Sequence, residues 1–285
     1  MMMTNNTFQY GQLQQLPRWL EEHCERLEEQ NSPIRNLNLN IRRLDSHMAF
    51  ALCNSLSKNQ NIEIVNLTSS FTMNPTLWTV RPLAQYLASP HSSLQIIHLS
   101  YNRLVDVTEL GLALQTNTKL KELHLDYNYL DTASAVALAE GLARNRQLRV
   151  LQLKSNRIGD VGGQALALAL GENTTLQTLG LSRNQDLGEL TQRALAYSLQ
   201  DNVTLTNLQL TENPKLVRQL PMLLYFVRAN QAGRHLLRKE VEHLWTLWPL
   251  ILQGLEPDML YFFLKERPDF VPSSTLSEKS VLSCL

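Results

Sequence analysis

His98 and His124 stand 26 residues apart, and so do Tyr101 and Tyr127. Around these two pairs lie Glu122, Asp126, Gln152 and Lys154. Imidazoles beside carboxylates are the raw material of acid–base catalysis or of a metal shell. Tyrosines beside mixed charge are the raw material of a protein interface. No second set of histidines and carboxylates completes a convincing metal shell, so neither metal nor cofactor is expected. Nucleophile chemistry fares no better. The chain carries no GxSxG, and Cys53 falls on the inward side of a helical run, where core packing is the default. The glycines of "IGDVGG" do not follow the order of a phosphate-binding loop. The final "SCL" fits the loose form of a ligand for domains that capture C-termini, while Cys284 is misplaced for prenylation. The chain is not expected to be an enzyme, and binding is the chemistry left to these residues.

The elements that position them are repeated. The pattern LxxLxLxxN appears as "LQIIHLSYN" (94–102), "LKELHLDYN" (120–128), "LRVLQLKSN" (148–156), "LQTLGLSRN" (176–184) and "LTNLQLTEN" (205–213). Two degenerate copies precede them, "IRNLNLNIR" (34–42) and "IEIVNLTSS" (62–70), which keep the apolar positions and lose the final asparagine. That makes seven units. A second register runs alongside. Asn31, Asn59, Asn117, Asn145, Asn173 and Asn202 each precede a strand by three residues, with His91 in that place in the third unit. Most follow a helical run such as "AVALAEGLARN", with apolar residues three and four apart. Because asparagine tolerates the left-handed conformation that ends a helix, these positions are expected to be left-handed helix stops.

Neither the short alternating strand nor the small amphipathic helix can hide its apolar face alone. Stacked, the strands form a parallel sheet and the helices a second layer, with the leucines between. Helices are wider than the strand spacing of about 4.8 Å, so the stack must curve with strands inside. The expected fold is therefore an α/β solenoid, a curved horseshoe of parallel inner strands and outer helices with helical caps. The period of about 28 residues, the LxxLxLxxN strand and the run "NRIGDVGGQALALAL" resemble the ribonuclease-inhibitor-like class of leucine-rich repeats. That class also occurs in intracellular immune receptors and in the GTPase-activating protein of Ran. The resemblance implies that the final asparagines, Asn102, Asn128, Asn156, Asn184 and Asn213, bond to neighbouring backbone. It leaves activity open, since a fold does not imply a function.

The ends of the array need shielding. Residues 1–33 are read as an N-terminal cap, because "QLQQLPRWLEEHCERLEEQ" (12–30) places Leu16, Trp19, Leu20, His23 and Leu27 on one helical face. Residues 34–213 hold the repeats, 214–272 an aromatic-rich helical cap that includes Trp245, Trp248 and Phe263, and 273–285 a polar, disordered tail. Parts of the C-terminal segment resemble those of diatom and other stramenopile proteins. The aromatic segment also suits a second docking surface.

Within a strand, residues alternating with buried leucines line the inner wall. Its middle column reads Asn38, Asn66, His98, His124, Gln152, Gly180 and Gln209. Polar and mostly uncharged, this wall suits a protein partner better than phosphate. Its third to fifth units bring His98, Tyr101, Glu122, His124, Asp126, Tyr127, Gln152 and Lys154 together as the expected partner-binding patch. The chain has 26 basic and 26 acidic residues, so no net field points to nucleic acid or to a membrane surface. Three cysteines are too few for a disulfide framework. The start "MMMTNNTFQY" has neither a basic head nor an apolar stretch, and the longest apolar run, 244–252, is about half a membrane span. The expectation is a monomeric, cytoplasmic scaffold, with the nucleus left open, that binds a protein partner. The alternatives are a regulator of a small GTPase and an intracellular sensor. The Ran-activating family carries a strongly acidic tail after its repeats, whereas this tail is polar and nearly neutral, and no nucleotide-binding or signalling domain accompanies a sensor.

Overall fold

The computed structural model describes residues 15–29, 32–71 and 77–231. Seven three-residue strands, β1 (Asn36–Asn38), β2 (Ile64–Asn66), β3 (Ile96–His98), β4 (Glu122–His124), β5 (Val150–Gln152), β6 (Thr178–Gly180) and β7 (Asn207–Gln209), form one parallel sheet in sequence order. Between them run helices α2 (Ser46–Lys58), α3 (Leu77–Ala88), α4 (Thr108–Thr116), α5 (Thr132–Arg144), α6 (Asp160–Glu172) and α7 (Glu189–Asp201). Helix α1 (Arg18–Glu28) precedes the sheet. A 3₁₀ turn (Pro214–Gln219) and α8 (Leu220–Gln231) follow it. The result is a leucine-rich-repeat solenoid, with strands on the inside of the curve and helices on the outside.

The core is the repeat itself. Leu123, Leu125, Leu151 and Leu153 from the strand motifs are wholly buried against Leu138, Leu142, Leu166 and Leu170 from the helices. Fully burying one such leucine contributes roughly 1.5–3 kcal/mol, and the sum accumulates along one continuous cluster. Helix α1 covers the first end with Leu20, Cys24 and Leu27 buried and with Leu16 and Trp19 packed beside them. His23 turns its Nδ1 to the carbonyl of Trp19 at 2.6 Å instead of joining that core. The aromatic segment and tail expected after residue 231 lie outside the described residues, as does Asn31.

The repeated asparagines do two jobs. Asn102, Asn128, Asn156, Asn184 and Asn213 are buried at the strand ends. The amide of Asn128 donates to the carbonyls of Leu99 and Leu125, and its oxygen accepts from the N–H groups of Asn102 and Leu104. These bonds stitch one unit to the one before.

The second register behaves differently from expectation. Asn59, Asn117, Asn145, Asn173 and Asn202 all have extended backbones, with φ between −90° and −70°. None is left-handed. Their side chains end the helices instead. Asn145 donates to Leu114 and Asn117 of the previous unit and accepts from the N–H groups of Gln147 and Leu148. An extended backbone is needed to aim both ends of the amide at once. Asn230, in α8, donates to Asn202 and Leu205 and so continues the ladder. His91 does not take part; it is exposed, and its neighbour Ser93 donates to Ile62 instead. Imidazole lacks an acceptor and two donors at amide spacing, so the ladder is broken there.

Candidate functional site

Strand register fixes the inner wall. Asn38, Asn66, His98, His124, Gln152, Gly180 and Gln209 are successive neighbours across the sheet, as expected. The two imidazoles stack, with centroids 4.5 Å apart and planes at 27°. His124 Nε2 lies 3.1 Å from a Glu122 carboxylate oxygen. Burial, with the charge of His124 beside it, holds His98 below the ordinary histidine range against the opposing pull of Glu122. Among the described residues, no three histidine, cysteine, aspartate or glutamate side chains gather as a metal shell.

One strand-end position is occupied by a left-handed residue in every unit: Ile41, Ser69, Tyr101, Tyr127, Ser155, Arg183 and Glu212, with φ between 53° and 64°. None is glycine. This conformation turns each chain sharply out of the sheet and throws its side chain to the rim. For Tyr101 and Tyr127 the outcome is a parallel stack, centroids 4.3 Å apart and planes at 8°. Tyr101 remains 53% exposed, so the pair offers aromatic surface to solvent. Desolvation and the neighbouring Tyr127 hydroxyl raise the Tyr101 titration, whereas the Tyr101 hydroxyl and Lys154 hold that of Tyr127 below the ordinary tyrosine range against its own burial. The Lys154 ammonium lies 5.7 Å from the Tyr127 centroid.

Asp126 faces the sheet more than the solvent. Its Oδ1 accepts from the backbone N–H of Lys154 at 2.7 Å. Burial nevertheless raises its titration, outweighing that bond and the nearby positive groups. Gln152 folds over Gly180, where a methyl group would collide with its side-chain oxygen. The place that Gly180 leaves on the wall at β6 is therefore covered by the Gln152 side chain, with Gln209 on its other side. All eight residues of the expected patch fall on β3–β5 and their immediate C-terminal turns.

Sequence reasoning missed the neighbouring rim. Arg157 sits over the Tyr129 ring at 4.3 Å, and Tyr129, Ser155, Arg157 and Arg183, with the carboxylates of Asp186 and Glu212, line a groove of about 640 Å³. These residues stand outside the strands, so the inward–outward alternation that identifies the wall says nothing about them. The signal available was the pair of columns flanking each final asparagine: the one before it holds Tyr101, Tyr127, Ser155 and Arg183, and the one after it holds Tyr129 and Arg157.

The N-x-T sequences that begin at Asn173 and Asn202, acceptor patterns for N-glycosylation, are closed off by the fold. Asn173 and Asn202 are buried with their amides bonded in the helix-end ladder. Cys24 and Cys53 are buried free thiols. Burial pushes Cys53 up to about 12, with Cys24 adding to it, which makes it a poor nucleophile. None of the described helices is long and apolar enough to cross a membrane.

A family model described as "Leucine Rich repeat" matches residues 116–139 and 144–167. No curated protein matches the chain. Among solved structures, actin-binding site 2 of leiomodin-1 is 14% identical, covering 78% of this chain and 95% of that one with a TM-score of 0.40. The C-terminal domain of a Caenorhabditis elegans tropomodulin is 14% identical over 77% of this chain and 97% of its own, with a TM-score of 0.36. An internalin from Listeria monocytogenes is 14% identical over 67% and 83%, with a TM-score of 0.22. Motif, strand order and family model agree that this chain is built of leucine-rich repeats.

Proposed function

We propose that the chain is a non-catalytic scaffold that binds a protein partner on its concave sheet face, acting as a monomer in the cytoplasm or nucleus. The observation that carries this reading is the exposed Tyr101–Tyr127 stack, flanked by the His98–His124 stack and by Lys154. Rigid aromatic surface beside mixed charge gives contact area at small entropic cost, because stacking already fixes the rings. Catalysis would require a nucleophile or a poised acid–base pair facing open space. The buried thiols do not supply one, and the Glu122 carboxylate is spent on its own neighbour, His124. Two buried free thiols also suit a reducing compartment.

The test is site-specific photocrosslinking of the full chain in its native cells. A photoreactive residue replacing Gln152 should capture a discrete protein, and the same group at Tyr197, 70% exposed on the outer face of α7, should not. Capture should be lost when Tyr101, Glu122, His124 and Tyr127 are changed to alanine in a chain that still folds. Equal capture from Tyr197, or retention by the four-alanine chain, would refute the concave-face reading.

A further inference from the structure

At the rim beside the tyrosine stack, acids and bases are used unequally. Asp106 accepts from the Thr108 N–H and Asp131 from the Ser134 N–H, each at the start of its own helix. Asp160 accepts from Gly188, Leu190 and Thr191 at the start of α7. Glu212 and Asp186 are taken by Arg183 at 2.7 Å and Lys215 at 2.9 Å. The rim carboxylates are thus engaged within the protein.

Lys154 and Arg157 are not matched in this way. Both lie over aromatic rings, and among the described residues neither forms an ion pair, although Asp126, bonded to the Lys154 backbone, is near enough to feel the Lys154 charge. A guanidinium lying over a ring is held in place on one side and can offer its forked donors to a carboxylate, which meets them with two parallel bonds. Ser155 stands between Tyr127 and Arg183 in the left-handed column, and its small side chain leaves room for the groove beside Arg157.

We infer that this rim binds an acidic segment of the partner, with its carboxylates on Lys154 and Arg157 and an apolar side chain against the Tyr101–Tyr127 stack. The inference rests on the concave-face reading above and adds the chemistry of the partner to it. From Tyr101 to Arg183 is three strand spacings, about 14 Å, which an extended peptide covers in four or five residues. A long polyanion fits worse. Its repeated charge would run on to Glu212 and Asp186, whose arginine and lysine are already paired.

The probe is a fluorescein-labelled hexapeptide of alternating glutamate and phenylalanine, titrated by anisotropy against the full chain. The expected result is binding that the lysine-for-glutamate peptide does not show and that weakens several-fold from roughly 0.05 M to 0.3 M salt. Changing Lys154→Ala together with Arg157→Ala should lower affinity roughly ten-fold, as the loss of two solvent-exposed ion pairs does. Arg144→Ala, on the outer helix α5, should leave it unchanged. Circular dichroism melts of each variant separate lost contacts from lost folding. Equal binding of the basic peptide, equal binding of an oligonucleotide of the same charge, or no binding at all would overturn the inference. Loss with Tyr101→Ala and Tyr127→Ala alone, and not with the two cation variants, would overturn the acidic assignment while leaving the concave-face reading standing.

Discussion

The side-chain amide of Asn145 spans two repeats: it donates to the carbonyl of Leu114 at 2.8 Å and accepts from the N–H of Leu148 at 2.7 Å. It also bonds Asn117 and Gln147, so one buried side chain satisfies four backbone groups at a helix end. Asn145→Ala leaves these groups unpaired away from water, and the expected loss is on the order of 3 kcal/mol. Chemical denaturation should show it as a lowered midpoint. Asn40→Ala, at an exposed turn, is the control and should move stability by less than about 0.5 kcal/mol.

The register of both asparagine series was legible in the sequence, and so was the solenoid, because leucine spacing and strand pairing obey the same period. The backbone state at Asn145 was not. A left-handed stop and an extended residue with a bridging amide are served equally well by asparagine, and only the position of the preceding repeat decides between them. The wall residues His98, His124 and Gln152 followed from alternation alone. Arg157 and Tyr129 did not, since their pairing depends on how two turns outside the sheet approach one another.

Helix α7 begins at Glu189 after Gly188, which has no side chain to cap it. Asp160, at the first turn of α6, supplies the cap from the neighbouring repeat, accepting from Gly188 and Thr191 at 2.8 Å. Asp160→Ala should cost about 1 kcal/mol, the usual worth of a helix cap.

The same carboxylate has a pH signature. Burial opposes ionisation, but the Thr191 hydroxyl and the N–H groups of Thr191, Gly188 and Leu190 outweigh it and hold the group below the ordinary aspartate range. A depressed folded value means the unfolded chain takes up the proton first as pH falls. The stabilisation is therefore complete above about pH 4 and disappears as pH drops through the folded value. Urea midpoints of the native chain and of Asp160→Asn should draw together over that range. A constant gap down to pH 2 would contradict the assignment.

Two glycines in the outer helices should respond oppositely to alanine. A methyl at Gly141 would run into the carbonyl oxygen of Gly111 on α4, a backbone atom that cannot turn away. One at Gly171 meets only the Ser198 hydroxyl at 3.5 Å, an ordinary contact. Gly141→Ala should destabilise by about 1–3 kcal/mol as the helices are forced apart. Gly171→Ala should stabilise by up to about 1 kcal/mol through helix propensity. Melting temperatures moving in the same direction would contradict the close approach of α4 and α5.

The histidine stack makes the concave wall sensitive to mild acid. His98 titrates below the ordinary histidine value because burial and the neighbouring His124 both disfavour its cation. Unfolding frees it, so between the two values the unfolded chain binds the proton that the folded chain refuses. Stability from this site is therefore present above about pH 6.5 and falls as pH drops through the folded value. His98→Gln keeps a polar side chain on the wall and removes the titration. Melting temperatures between pH 7 and pH 5 should fall less for this variant than for the native chain. Because the imidazoles lie face to face at 4.5 Å, His124→Gln should also raise the His98 titration, which proton NMR of the ring resonances would read directly. An unmoved His98 titration in that variant would mean that burial alone sets it.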